Sequence, residues 1–277
     1  MADDPPRTRT ARRAAERALV RVVHHYGATP EFVLLGGLVP DLLCSDSGML
    51  HAGTTDVDVQ VDLEIAAGAV NTARLERALA NAEFTVDPQR IWRWETDVDG
   101  RSAVVKFELL ADIDTEPAQA VVSFDSCEQL GAVNLRGTGF AAKDFSPTPL
   151  RARIGGMNYN VEVNVTGLAG FLLAKASAAY SRRKPKDWYD IAFVLLHNDA
   201  GGPETAAAVV AERFGSDLVG ATRTALDDLA ANFDNPRAQG PEAYATQFAI
   251  DHPDSDDAQL RADAIVAVRA FYTGLLG

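Results

Sequence analysis

Apolar residues recur along this chain with two different periods, and the change from one to the other divides it. From residue 7 to 26 the spacing is helical: Leu19, Val22, Val23 and Tyr26 fall at i, i+3, i+4 and i+7, and Gly27 ends the run. Short apolar or alternating segments then predict strands at 31–35, 55–63, 91–96, 103–110, 118–124, 132–136, 150–154 and 159–165. Two helices interrupt them. One covers 38–44, with Pro40 in its first turn, and the other covers 71–82, with Asn71 as cap and Leu75 and Leu79 inward. Asp97-Val98-Asp99-Gly100 predicts a hairpin turn and Gly155-Gly156 a second turn. From Thr166 onward the period is helical, with helices at 167–180, 186–196, 204–214, 217–231 and 255–276, joined at Gly201-Gly202-Pro203 and at 236–241. The expected fold class is α+β: a mixed-sheet N-terminal lobe over 1–165 and a helical C-terminal lobe over 166–277.

The chemistry concentrates where an apolar strand ends in Gly36-Gly37 and a later strand carries Thr54-Thr55-Asp56-Val57-Asp58-Val59. Strand side chains alternate, so Asp56 and Asp58 project to one side while Val57 and Val59 face the core. Two carboxylates held that close repel each other unless a cation lies between them, and magnesium takes oxygen ligands of this kind. The glycines let a backbone bend approach a phosphate, and the helix start that follows supplies unpaired N–H groups. A third acid is expected on a neighbouring strand. Glu108 shares a face with Lys106 and Leu110, and Asp112, on the same parity, is the alternative. Lys175 lies among small and apolar residues at 171–178 and is expected to reach phosphates. Asp187 and Asp190 sit at i and i+3 on the next helix, where they face a common neighbour, cap the helix or pair with Arg182 or Arg183.

Composition narrows the classes. The chain has 277 residues, 47% of them hydrophobic, and a formal net charge of −13, which argues against a protein that coats nucleic acid nonspecifically. The charge is unevenly spread: Arg7, Arg9, Arg12, Arg13, Arg17 and Arg21 crowd the first helix, and Arg182, Arg183, Lys184 and Lys186 form a second cluster. No apolar run approaches the roughly 20 residues that cross a bilayer, so no membrane partner is expected. The N-terminal residues lack the apolar stretch of a secretory signal, and a cytoplasmic location is the expectation. Cys44 and Cys127 fall in no metal-binding spacing and are expected to be reduced thiols, and the five histidines form no ligand set.

Gly36-Gly37 followed by Thr54-x-Asp56-x-Asp58 resembles the first motif of the polymerase-beta-like nucleotidyltransferases, and Lys106-Phe107-Glu108-Leu109 resembles the strand bearing their third acid. Lys175 followed by Lys186-Asp187-Trp188-Tyr189-Asp190-Ile191 is similar to the later motifs of the AbiEii (Men-type toxin) branch. The resemblance implies a bilobed nucleotidyltransferase fold that uses an NTP and Mg²⁺ and releases pyrophosphate. It implies Asp56, Asp58 and Glu108 as metal ligands, and Gly36, Gly37, Thr54 and Lys175 at the NTP. It also implies Asp187 beside the acceptor, the tRNA 3′ end as acceptor, and a cognate antitoxin as partner. Where many relatives carry a basic residue just before the Thr/Ser-x-Asp segment, this chain has Ala52 and Gly53. The alternatives are a nucleotidyltransferase for a small antibiotic-like molecule or a protein hydroxyl, and a non-catalytic module that binds a partner.

Overall fold

The computed structural model of the chain describes residues 7–61, 69–97 and 104–277. The expected hairpin turn at 98–100 and the end of the acid-bearing strand at 62–63 lie outside the described residues. The chain divides into two units, one comprising residues up to Leu38 with Gly53–Thr166, the other Val39–Ala52 with Gly167–Gly277.

In the first unit, nine strands among the described residues form one mixed sheet. They are β1 (Val33–Leu35), β2 (Asp56–Gln60), β3 (Thr85–Asp87), β4 (Arg90–Asp97), β5 (Val104–Ala111), β6 (Val121–Ser123), β7 (Gly131–Asn134), β8 (Phe145–Ile154) and β9 (Met157–Thr166). The order is β3-β4-β5-β2-β1-β9-β8, with β7 joined to β5 and β6. β2 runs parallel to β5 and antiparallel to β1, which places three chemically distinct strands side by side. Helix α1 (Arg9–Tyr26) starts at Thr8, whose hydroxyl accepts the Ala11 N–H at 3.2 Å. It packs on β9, β8, β2 and β5 and beside α3 (Ala69–Asn81), burying Leu19, Val22 and Val23.

The two faces of the sheet differ. One carries Val57, Val59, Phe107 and Leu109, all fully buried, with Phe32 and Phe84 edge-on to Phe107. The other is charged at Asp56 and Asp58 and becomes apolar further along, where Val33, Leu35, Leu110 and Val133 are covered by Ala141 of α4 (Gly139–Lys143). This face is therefore covered at one end, and Asp56 and Asp58 on it are partly buried.

Strand β8 is longer than the alternating pattern at 150–154 indicated. Pro147 and Pro149 argue against a central strand, but β8 ends the sheet order, where a missing N–H costs no ladder bond.

The second unit is helical: α2 (Val39–Leu43), α5 (Leu168–Arg182), α6 (Pro185–His197), α7 (Pro203–Phe214), α8 (Gly220–Ala231), α9 (Gln239–Asp251) and α10 (Asp257–Leu276). Helix α9 packs on α6 and α10 and buries Tyr244, Ala245 and Phe248. The sequence pattern did not anticipate it, because Gly240 and Pro241 read as a joint. Both sit in the first turn of α9, where a proline's missing N–H is harmless.

Candidate active site

The strand register brings a block of charged side chains onto this second face of the sheet. Asp56 pairs with Lys106 and Asp58 with Glu108 across β2 and β5, while Glu95 pairs with Lys106 and Arg93 with Glu108 across β4 and β5. One row is therefore Glu95, Lys106, Asp56, and the next is Arg93, Glu108, Asp58. Asp56 and Asp58 are half-buried, and Val57 between them is fully buried, as strand alternation requires.

The diglycine bend abuts these acids. Leu35 pairs with Asp58, so Gly36 leaves β1 beside the second carboxylate. Gly36 has φ +78, and a Cβ there would lie 2.8 Å from both Cβ and Cγ of Asp58. Only glycine combines that left-handed backbone with such close approach. A Cβ at Gly37 would lie 3.0 Å from Cβ of Thr54, and the Thr54 hydroxyl accepts the Asp56 N–H at 3.0 Å. Thr54 thus ties the start of the acid strand to the bend. Residues 36–38 form a single 3₁₀ turn rather than the start of the helix expected over 38–44, and that helix, α2, begins at Val39.

The candidates for a third acid separate clearly. Glu108 is adjacent to Asp58, but its Oε1 accepts from Arg93 Nε at 2.6 Å and lies 2.5 Å from a terminal nitrogen of the same guanidinium. Burial pulls the Arg93 pKa down, but the charge and hydrogen bond of Glu108, with Asp56 and Glu95, outweigh it and raise it. Asp112 does structural work instead: its Oδ2 accepts from Gly137 N at 2.8 Å and Gly139 N at 3.0 Å and so fixes the start of α4. Among the described residues, no three His, Cys, Asp or Glu side chains converge as a metal cage. The donor set at the bend is two carboxylates. That fits magnesium, which keeps water and takes substrate phosphates alongside one or two carboxylates rather than filling its shell from protein.

Lys106 Nζ stands 4.0 Å from Asp56 Oδ1. Arg7 supplies a basic group near the position where the sequence has only Ala52 and Gly53: its Nε donates to the Gly53 carbonyl at 3.0 Å. Gly53 itself has no room for a side chain, because the Thr8 carbonyl occupies that space. Neither Arg7 nor Arg93 was marked by the motif. Arg93 was recoverable from hairpin alternation on β4, whereas Arg7 required the tertiary fold.

In the second unit, Lys175, Asp187, Asp190 and His51 are all buried. The Lys175 ammonium, expected to reach phosphates, donates to Asp190 Oδ2 at 2.7 Å and Asp187 Oδ1 at 3.2 Å. Asp187, expected beside the acceptor, is also held by Arg182, with Nε and a terminal nitrogen each at 2.6 Å. His51 Nε2 lies 2.9 Å from Asp190 Oδ1, and the Tyr189 hydroxyl accepts the Ala52 N–H at 3.0 Å. Burial works against the Lys175 charge, and the two aspartates more than compensate, raising its pKa. Burial likewise works against ionised Asp187, and Lys175 and Arg182 hold its pKa below the ordinary carboxylate value. The common neighbour of the two aspartates is therefore the lysine, and the network joins α5, α6 and the 39–52 segment.

No protein-family model matches the chain, and no curated protein does. Among solved structures, it is similar to an antigenic nucleotidyltransferase-like protein from Paracoccidioides brasiliensis. That likeness has a TM-score of 0.40 at 18% identity and covers 79% of this chain and 94% of that one. A superposition that loose carries no functional argument. No helix among the described residues is long and apolar enough to cross a membrane.

Proposed function

We propose that this chain is a magnesium-dependent nucleotidyltransferase, transferring NMP from an NTP to an acceptor hydroxyl and releasing pyrophosphate. The observation that carries the reading is the seating of the Asp58 side chain against the left-handed Gly36, with Asp56 beside it on the same face. Such a bend lets backbone come close to a triphosphate, and the two carboxylates are the oxygen donors magnesium needs. Magnesium would stabilise the charge that develops on the attacking and leaving oxygens. Asp56 and Asp58 hold it, Gly36 and Gly37 admit the phosphates, and Thr54 orients Asp56 through its backbone N–H. Glu108 adds negative charge next to Asp58, while Arg93 and Lys106 limit repulsion between the carboxylates.

The acceptor we favour is the tRNA 3′ end, with the protein acting as the toxin of a toxin–antitoxin pair and a cognate antitoxin as its partner. The resemblance of Lys175 and the Lys186 to Ile191 segment to the later motifs of the AbiEii branch supports this choice. In this reading Lys175 and Asp187 act through the buried network that orders the 51–52 segment. The net charge of −13 favours a second reading, transfer to a cationic small molecule or a protein hydroxyl.

One incubation tests both: labelled NTPs and Mg²⁺ with total RNA, a protein extract and a small-molecule pool. Label on tRNA is the expected result, and label confined to small molecules or protein selects the second reading. Asp56→Ala is expected to abolish transfer, and full transfer by that variant would remove the metal assignment.

A further inference from the structure

The second unit holds a cavity that the buried lysine network does not use. Its volume is about 360 Å³, and it lies between the first turns of α6 and the facing part of α9. Helix α6 lines it with Pro185, Trp188 and Tyr189, and α9 with Ala243, Thr246 and Gln247. At about 100° per residue, the three α6 residues share one arc of the helix, and Asp187 and Asp190 lie on the other side with Lys175.

Two polar atoms of this lining are unmatched. The Trp188 indole Nε1 and the Gln247 amide Nε2 are buried and have no hydrogen-bond partner among the described residues. Trp188 as a whole is 1% exposed, so bulk solvent does not serve its N–H. A buried donor without an acceptor is costly, and native structures keep few of them. A glutamine amide can turn to offer a donor or an acceptor, whereas an indole N–H only donates. The indole therefore sets what a ligand must bring, which is an acceptor. The wall beside it is preformed: Tyr189 stacks on Tyr244 with ring centres 6.0 Å apart, and its hydroxyl accepts the Ala52 N–H.

We infer that the cavity between α6 and α9 binds a small, uncharged molecule carrying a carbonyl acceptor on an apolar body. The carbonyl oxygen accepts from Trp188 Nε1 and Gln247 Nε2, and the apolar body lies along Pro185, Ala243 and the Tyr189 ring. Small-molecule sites of this volume are mostly apolar and fix their ligand through a few placed polar groups. The charged residues at the cavity do not select an ion. Arg183 is engaged by Asp228 at 2.7 Å, and Lys186 and Glu242 carry opposite signs. Burying an ionised group beside two neutral donors costs more than it returns.

The test is ¹⁵N–¹H NMR of the full chain, reading the indole N–H resonances of its three tryptophans, Trp92, Trp94 and Trp188. Trp188→Phe assigns the resonance of interest, and if that variant does not fold, Trp92→Phe and Trp94→Phe assign it by elimination. Trp94 Nε1 is also buried without a partner but does not line this cavity, so it is the internal control. Three probes of one shape are titrated to millimolar concentration: acetophenone, its alkene isostere α-methylstyrene, and benzoate. Acetophenone is expected to move the Trp188 indole proton downfield and saturate, leaving Trp94 in place. Gln247→Leu should weaken acetophenone about threefold to tenfold, the worth of one neutral hydrogen bond, without weakening α-methylstyrene. α-Methylstyrene binding as tightly as acetophenone overturns the acceptor requirement, and tighter binding of benzoate overturns the uncharged class. No movement of the Trp188 resonance with any probe overturns the site, leaving ordered water as the partner of the indole.

Discussion

The Asp58 side chain occupies the space that a Cβ on Gly36 would need: the two would lie 2.8 Å apart, Cβ to Cβ. Gly36→Ala therefore meets two obstacles at once, a left-handed backbone and a collision with an acid. The backbone alone costs about 1–2 kcal/mol, and relieving the collision displaces Asp58. Displacement of that kind is expected to cost about 100-fold or more in transfer rate. Gly48→Ala is the control, since Gly48 has φ +69 with nothing within 4 Å of its added Cβ. It should lose comparable stability and keep its activity. Equal activity of the two variants, measured alongside their melting temperatures, would separate the bend from the chemistry.

Arg93 competes with any cation for Glu108. Replacing it with leucine strands Glu108 next to Asp58, and removing one partner of a part-buried charged hydrogen bond costs roughly 1–3 kcal/mol. In EDTA, Arg93→Leu should melt below the wild type. In Mg²⁺ it should recover more than the wild type gains, because three neighbouring carboxylates then attract the ion. Glu108→Gln in the same background should abolish the extra magnesium effect. A magnesium response identical in all three proteins would place the ion away from Glu108.

How far these relationships were legible in the sequence depends on their range. Alternation on β2 is local, and it put Asp56 and Asp58 on one face with Val57 and Val59 in the core. The switch from short strands to helical periodicity near Thr166 was also local, and β9 ends there. That Lys106 and Glu108 lie beside Asp56 and Asp58 required knowing that β5 flanks β2 in this register, which is a long-range fact. Helix α9 was hidden by Gly240 and Pro241, residues that punctuate a chain unless they occupy a first turn. Lys175 shows the limit most plainly. An isolated lysine among alanines reads as a cation aimed at a ligand, yet its counter-charges Asp187 and Asp190 sit on the next helix and satisfy it in the interior.

The buried network makes Lys175→Met a strong test. Removing the ammonium takes from Asp187 and Asp190 the counter-charge they share, and the expected loss is about 3–5 kcal/mol. His51 and Arg182 moderate it by holding the outer oxygens. A large fall in melting temperature, with Mg·NTP affinity unchanged at a temperature where the variant is folded, is the expected pairing. An unaltered melting temperature with lost NTP affinity would instead assign the ammonium to substrate phosphates.

The last prediction concerns acid stability and His197. Burial, then the neighbouring charge of His252, lowers its pKa from 6.5 to about 4, and its ring lies against Phe193 and Phe248 with Nε2 3.2 Å from the Tyr244 hydroxyl. Below pH 6.5 the unfolded chain takes a proton that the folded chain refuses until about pH 4. The unfolded state then binds more protons, so stability rises with pH across this window and falls as pH drops through it. At 1.36 kcal/mol per pH unit the full effect is bounded at about 3 kcal/mol, and residual solvent access reduces it to roughly 2. Above pH 6.5 both states are neutral at this residue and the contribution is flat. His197→Phe keeps an aromatic ring among Phe193, Tyr244 and Phe248 and removes the titration. Its denaturant midpoint should decline less between pH 6.5 and 4 than that of the wild type. Parallel declines would show that the proton enters elsewhere.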